Sequence, residues 1–350
     1  MIAGGGTGGH AIPALCVAAD LREREAIVEF VGSSSGIEMT LVPQEGYTLH
    51  ALPLRGLAGS PLARARAGLL SLKATIRCTR IIQRLRPWAV LGVGGYASAP
   101  AVIAARALGV PTFLHEQNSV PGRVNRLASR FTTQTLTTFP DATQRLGNAV
   151  WVGIPTRTKI FAATRDEALR DLGLEPPVVL IFGGSGGALR LNLAAVEAFG
   201  GPTPYTVVQI SGRRDFSRLS TDNPRHKILE FVDDIWRYLA AADVVVSRAG
   251  AGSLFDIAAA GKAAILVPFP YATGDHQLEN ARYFTDRGAA ELMLDAEVDA
   301  RALRDRVEDL LADDARREEL ASRMGALATP GAAGEVARRL LRAGEKERGA

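Results

Sequence analysis

Two glycine-rich segments, Gly4-Gly5-Gly6-Thr7-Gly8-Gly9-His10 and Gly183-Gly184-Ser185-Gly186-Gly187, each stand where a strand-like run ends and a helical run begins. A strand that turns into a helix through glycine brings bare backbone N–H groups close to the helix N-terminus, whose partial positive charge favours an anion. The feature occurs twice in 350 residues, a length that fits two hydrophobic cores better than one. The expected fold is therefore α/β: two Rossmann-like domains facing across a cleft, with parallel sheets wrapped by helices.

Short apolar runs alternate with amphipathic stretches throughout, the pattern of a parallel sheet with helical crossovers. In the first half the expected strands are Val28–Val31, Ala89–Val93, Val110–Leu114 and Phe131–Thr133. In the second they are Val178–Phe182, Thr206–Ile210, Asp243–Val246 and Ala264–Val267. Only Met1, Ile2 and Ala3 precede the first glycine loop, so the strand there is very short. Val152-Gly153-Ile154-Pro155 interrupts the pattern after strand-like Val150-Trp151 and marks the seam. The expected domains are 1–153 and 154–330, with a C-terminal helix, 331–350, packing back on the first.

The chain is 47% hydrophobic and 22% charged, a globular composition. No apolar run reaches the ~20 residues of a membrane span, and Met1-Ile2-Ala3 lacks the basic flank of a signal peptide. Cys16 and Cys78 lie far apart in apolar contexts and read as thiols of a reducing cytoplasm. Net charge is +4, but no Asp or Glu occurs between Glu45 and Glu116, an interval holding Arg55, Arg64, Arg66, Lys73, Arg77, Arg80, Arg84, Arg86 and Arg106. Such a stretch implies an anionic partner: nucleic acid, a phospholipid surface or a phosphorylated substrate.

Gly4-x-Gly6-x-x-Gly9 also fits the dinucleotide fingerprint, with Glu29 about twenty residues on where a ribose-binding acid belongs. His10 lies at the rim of that loop and is a candidate general base. Gly94-Gly95-Tyr96-Ala97-Ser98 is a further strand-to-helix turn. His115-Glu116-Gln117-Asn118 ends a buried strand, where open sheets bind ligands. In the second half, Arg248-Ala249-Gly250-Ala251-Gly252-Ser253-Leu254-Phe255-Asp256 lets a flat ring lie close to backbone, with Asp256 placed for a ribose diol. Gln277 and Asn280 share a helix face able to bond a sugar. No Asp-x-Asp pair and no His/Cys cluster has metal-ligand spacing, so no metal or cofactor is expected and loop dipoles with Arg157 or Arg248 must neutralise a leaving diphosphate.

These segments, in order and in register over nearly the whole chain, resemble the MurG family, glycosyltransferase family 28. That resemblance implies the two-domain GT-B fold and metal-independent, inverting transfer of N-acetylglucosamine from UDP-N-acetylglucosamine to the muramyl 4-hydroxyl of lipid I, giving lipid II for peptidoglycan. It assigns Thr7, Gly8, Gly9, Asn118, Arg157, Ser185, Val232, Ala251, Gly252, Ser253, Leu254, Phe255, Asp256, Gln277 and Asn280 to the donor. Gly94, Gly95, Tyr96, Ser98 and His115 fall on the acceptor side, and His10 is the base with Glu116 next in line. Asp256 stands where the family usually has glutamate, and Gly252-Ser253 replaces a commonly larger pair.

A lipid-linked acceptor gives the basic stretch a use. Leu69, Leu70, Leu72 and Ile76 among Arg64, Arg66, Lys73, Arg77 and Arg80 suit a helix lying on an anionic bilayer, which implies a peripheral protein on the cytoplasmic face of the inner membrane. Three other readings stand beside this one: a GT-B enzyme with another lipid acceptor such as diacylglycerol, an NAD-dependent oxidoreductase using the Gly4 loop and Glu29, and a non-catalytic membrane or nucleic-acid module. Few aromatics interleave with the arginines, which argues against nucleic acid.

Overall fold

The computed structural model describes residues 1–54, 61–184 and 187–348. It divides into two compact units, Met1–Thr156 with Thr329–Ala350, and Arg157–Ala328. The first holds a seven-stranded sheet of β1 (Ile2–Ala3), β2 (Glu29–Ser33), β3 (Thr48–Leu52), β4 (Val90–Gly92), β5 (Thr112–Glu116), β6 (Gln134–Thr137) and β7 (Ala149–Trp151). Their order is β3-β2-β1-β4-β5-β6-β7, and every pairing is parallel. The second unit holds β8 (Val178–Phe182), β9 (Thr206–Ile210), β10 (His226–Leu229), β11 (Val244–Ser247), β12 (Ala263–Leu266) and β13 (Glu291–Leu292). Here too the sheet is all parallel, in the order β10-β9-β8-β11-β12-β13.

Both orders run outward from a central strand in two directions, the doubly wound arrangement whose ligand crevice lies where the winding reverses. That point falls beside β1 and β4 in one unit and beside β8 and β11 in the other. Successive residues of a strand face opposite sides, and here both sides are covered. Phe30 and Leu91 pack with the helices Gly8–Glu23 and Ala332–Arg348, whereas Val31 and Val90 pack with Pro61–Leu85 and Ala99–Ala107. Burial on both faces makes the central strands continuous apolar runs.

Among the expected strands Phe131–Thr133 is displaced: those residues form turns, and the strand is Gln134–Thr137. In a segment reading Thr-Thr-Gln-Thr-Leu-Thr-Thr, alternation is nearly blind to register. Cys78 is buried in the first unit, which pushes its thiol up to about 12 and leaves it unreactive.

Candidate functional site

In the first unit the site grows from the loop that joins β1 to the helix Gly8–Glu23. Gly4, Gly5 and Gly6 take φ of +145°, +147° and +94°, and the loop is pinned by a side chain that no local motif announces. Glu38 is buried, and its carboxylate accepts from Gly6 N–H at 2.7 Å and from Ser33 N–H at 2.8 Å. A Cβ on Gly5, Gly32 or Gly36 would collide with the Glu38 side chain. Glu29, the acid an NAD site would need, is the first residue of β2 and pairs with His50 at 2.5 Å, so it does not reach the loop.

Thr7 precedes the helix with extended backbone, and its Oγ1 lies 3.0 Å from His10 Nδ1. The His10 ring is half-buried against the Gly94-Gly95 turn: a Cβ on Gly94 would sit 2.9 Å from His10 Cδ2 and 3.0 Å from Nε2. Gln117 closes the turn from beneath, donating to Val93 O at 2.7 Å. Thr7, His10, Gly94 and Gly95 are thus brought together beyond the ends of β1 and β4. Tyr96 is half-buried beside them.

The polar row at the end of β5 divides by role. His115 is buried, donates from Nε2 to Gly153 O at 3.0 Å, and is lowered to about 4, chiefly by burial, so it is neutral at physiological pH. Glu116 is also buried, and its carboxylate accepts from Asn118 N at 3.0 Å, Gly122 N at 3.1 Å and Asn125 Nδ2 at 2.8 Å. Burial raises its pKa against these donors. Both oxygens accept bonds that hold the 116–125 loop. Ser98 is likewise interior, donating to Gly95 O at 3.0 Å, and shapes the turn rather than facing an acceptor.

In the second unit Ser185 lies outside the described residues. Around it, Gly187 takes φ +74°, and a Cβ there would lie 2.6 Å from Asp215 Oδ2 and 2.9 Å from Ser211 O. Asp215 is 1% exposed and accepts from Asn192 Nδ2 at 3.1 Å, which also donates to Ser211 O at 2.9 Å. Gln209 donates to Asn192 Oδ1 at 3.1 Å and its Oε1 meets His226 Nε2 at 2.9 Å. This buried chain runs beneath the loop that opens the helix Leu189–Phe199, whose N-terminus points an electropositive end at the loop.

The helix Ala251–Ala260 follows β11. Ala251, Leu254 and Phe255 are buried, Phe255 packing edge-on against Phe284 with centroids 5.3 Å apart, so the expected donor contacts of Leu254 and Phe255 are not side-chain contacts. Gly252, Ser253 and Asp256 occupy the more open face, and added Cβ atoms on Gly250 and Gly252 would meet nothing within 4 Å. Burial pushes Asp256 up to about 7, against the opposing pull of Arg157. Arg157 in turn lies over Trp236, 5.9 Å from its centroid. Val232 is half-buried in the loop after β10.

Three further residues hold the rim itself. Arg248 bonds Asp295 at 2.6 Å and donates to Val267 O at 3.3 Å and Pro268 O at 3.2 Å, so it braces the rim. Asn280 is buried and donates to Ala249 O at 3.3 Å. Gln277 accepts from Phe269 N–H at 3.0 Å. Asn280 thus braces the loop after β11, and half-buried Gln277 lies at its edge.

The model of the glycosyltransferase family 28 N-terminal domain matches residues 1–137, and that of the family 28 C-terminal domain matches 178–335. The chain is 65% identical, over 95% of its length and 100% of the relative's, to the UDP-N-acetylglucosamine–N-acetylmuramyl-(pentapeptide) pyrophosphoryl-undecaprenol N-acetylglucosamine transferase of Rubrobacter xylanophilus. It is 42% identical to the enzyme of the same name from Acidithiobacillus ferrooxidans, over 89% of each chain. Among solved structures it resembles MurG of Acinetobacter baumannii, with a TM-score of 0.77 and 30% identity, covering 98% of this chain and 99% of that one. A UDP-GlcNAc 2-epimerase from Neisseria meningitidis bound to UDP-GlcNAc shares the fold at a TM-score of 0.68 and 14% identity, over 97% and 98% of the two chains.

Proposed function

The chain belongs to glycosyltransferase family 28 and is an N-acetylglucosamine transferase of lipid II synthesis, and on that premise we propose that transfer is a direct, inverting displacement with His10 as base. UDP-N-acetylglucosamine is the donor, and the muramyl 4-hydroxyl of lipid I attacks its anomeric carbon while UDP departs on the opposite face. The observation that carries this assignment is the seat of His10: a ring oriented by Thr7, pressed on a turn that admits no side chain, in a unit whose strand-end histidine is locked and neutral. Histidine is the side chain most often used to take a proton at neutral pH.

The second unit holds the donor in this reading. The Ser185 loop and the end of Leu189–Phe199 face the diphosphate, where preorganised dipoles offset charge developing on UDP. Arg157 lies near it. Val232 and the open face of Ala251–Ala260 take uracil and ribose, with Asp256 on the diol, and Gln277 contacts the sugar. In the first unit, the family resemblance assigns Thr7, Gly8, Gly9 and Asn118 to the donor and Gly94, Gly95 and Tyr96 to the acceptor.

The enzyme is peripheral on the cytoplasmic face of the inner membrane. No helix among the described residues is long and apolar enough to cross a bilayer. Leu69, Leu72 and Ile76 are 55%, 59% and 48% exposed on the helix Pro61–Leu85, Leu70 is half-buried, and Lys73, Arg77 and Arg80 stand among them. The side chains of Arg64 and Arg66 lie outside those described. An apolar ridge edged by cations suits an anionic lipid surface.

Radiolabelled transfer from UDP-N-acetylglucosamine to purified lipid I tests the assignment, with UDP-glucose and diacylglycerol as substrate controls. His10→Ala is expected to cut turnover at least ~100-fold, within the range for general acid–base catalysis, with donor affinity retained. Turnover near the parent's would remove His10 from the chemistry.

A further inference from the structure

In the row His115-Glu116-Gln117-Asn118, Gln117 continues the alternation of β5 and faces, with Phe113 and His115, the side of the sheet covered by the helix Gly8–Glu23. Its amide is fixed at one end, where Nε2 donates to Val93 O at 2.7 Å. A backbone carbonyl can only accept, so the amide nitrogen points at Val93 and the oxygen, Oε1, points away from it. That oxygen is buried and accepts no hydrogen bond. A Cβ on Gly94 would lie 3.3 Å from Gln117 Oε1, 3.0 Å from His10 Nε2 and 2.9 Å from His10 Cδ2. The amide oxygen and the Cδ2–Nε2 edge of the imidazole therefore border one small gap, which the glycine keeps clear.

A buried acceptor without a donor is rare in folded proteins, because it has given up water and gained nothing in return. A positive charge forming beside it offsets that loss, since a fixed dipole in a dry surrounding acts strongly on a nearby cation. His10 acquires such a charge when it acts as base. Its ring takes the proton of the attacking hydroxyl, the hydroxyl oxygen bonds the anomeric carbon, and the C–O bond to UDP breaks with its electron pair leaving on the diphosphate. We propose that Gln117 is a positioning residue of this step: its amide oxygen, aimed by Val93, steadies the His10 ring edge and favours the protonated ring. This role rests on His10 being the base, and it adds the group that stabilises the charge His10 acquires. Two titratable side chains reach the same loop from neighbouring elements. One is His115 at the end of β5, neutral and bonded to Gly153 O. The other is Glu38 from the helix Glu38–Gln44, whose carboxylate accepts from Gly6 N–H and Ser33 N–H. Both are common to the parent and to variants at position 117, so a difference in titration reports Gln117.

The test is the titration of His10 in the full chain, followed by nuclear magnetic resonance with carbon-13 at histidine Cε1. The chain has five histidines, and the His10 signal is the one missing from His10→Ala. Gln117→Met keeps the bulk and removes the oxygen, so the His10 titration should move down by at least about half a pH unit. Gln117→Glu puts a full negative charge in the same place and should move it up by about one pH unit or more. The acid limb of kcat/KM for transfer to lipid I should follow in the same two directions, because that limb reports the free enzyme's base. A titration that stays put in both variants, or moves the same way in both, overturns the role even where kcat falls, since a loosened turn alone would lower kcat. Full turnover by His10→Ala would instead remove the base assignment, while opposite shifts of the His10 signal would still show that the two side chains are coupled. Thermal melts of the two variants separate these outcomes from a loss of fold.

Discussion

Glu38 gives its buried carboxylate to two main-chain donors, Gly6 N–H and Ser33 N–H, across three glycines that leave it no side-chain neighbour to displace. Asp215 stands in the matching place of the second unit, following β9 as Glu38 follows β2, and packs on Gly187. The first glycine loop is therefore held from within by an acid of the neighbouring crossover, and in the second unit the corresponding acid packs on Gly187. Charge-assisted hydrogen bonds are roughly twice as strong as neutral ones. Glu38→Gln keeps the shape and loses the charge, so urea melts should show a loss of about 1–3 kcal/mol. Because His10 shares the loop with Thr7, Gly8 and Gly9, kcat should fall and the KM for UDP-N-acetylglucosamine should rise; unaltered kcat would separate the loop from the chemistry. Asp256 gives a second expectation at this scale. Its pKa of about 7 leaves it partly protonated at neutral pH, and a ribose diol is bonded best by the carboxylate. The donor has no group titrating in that range, so its affinity should rise up to about tenfold from pH 6 to pH 8. In Asp256→Asn the same titration should be flat; a persistent slope would assign the proton elsewhere.

Elements carry the next order of organisation, and Gly153 joins several of them. It follows β7, takes φ +82°, accepts from His115 Nε2 through its carbonyl, and abuts Thr329, where the chain returns to the first unit. Thr329 Oγ1 also accepts from Ile154 N–H at 3.2 Å. Gly153→Val adds a branched side chain at a backbone conformation that L residues avoid and against a neighbour already in contact, a strain of about 1–3 kcal/mol or more. Thermal melts should report that loss, and a melt equal to the parent's would mean the turn relaxes freely. Glycine at such a seam was legible from the break in pattern, as were the central strands, whose burial on both faces writes unbroken apolar runs such as Val178–Phe182. Three of the edge strands were not: β3 reads Thr-Leu-His-Ala-Leu, β10 His-Lys-Ile-Leu and β13 Glu-Leu, since an edge needs polar residues and gains little from apolar ones. Glu38 and Asp215 were illegible for another reason. Their meaning comes only from the strand beside them, and no local spacing encodes it.

At the scale of the whole molecule, each unit hides one uncharged histidine under its site, and acid should act on both. His115 and His226 are each lowered to about 4, mainly by burial, from an ordinary value of 6.5. The unfolded chain takes up these protons once pH falls below 6.5, whereas the folded chain resists until about 4. Their contribution to stability is therefore complete above 6.5 and drains away between 6.5 and 4. For His226, which is 3% exposed, the full span corresponds to roughly 3 kcal/mol. Asp256 works in the opposite sense: its raised pKa favours the folded state at low pH and ceases to do so as pH climbs from 3.8 through 7. The second unit thus carries two opposed titrations, and single replacements separate them. Stability of His226→Asn, measured by denaturant melts from pH 7 to pH 4, should fall less steeply than that of the parent, although the variant is weaker at neutral pH for want of its bond to Gln209. Asp256→Asn should fall more steeply over the same range. Parallel curves for parent and both variants would show that acid enters the molecule elsewhere; curves that diverge in these opposite senses would assign the two titrations to His226 and Asp256.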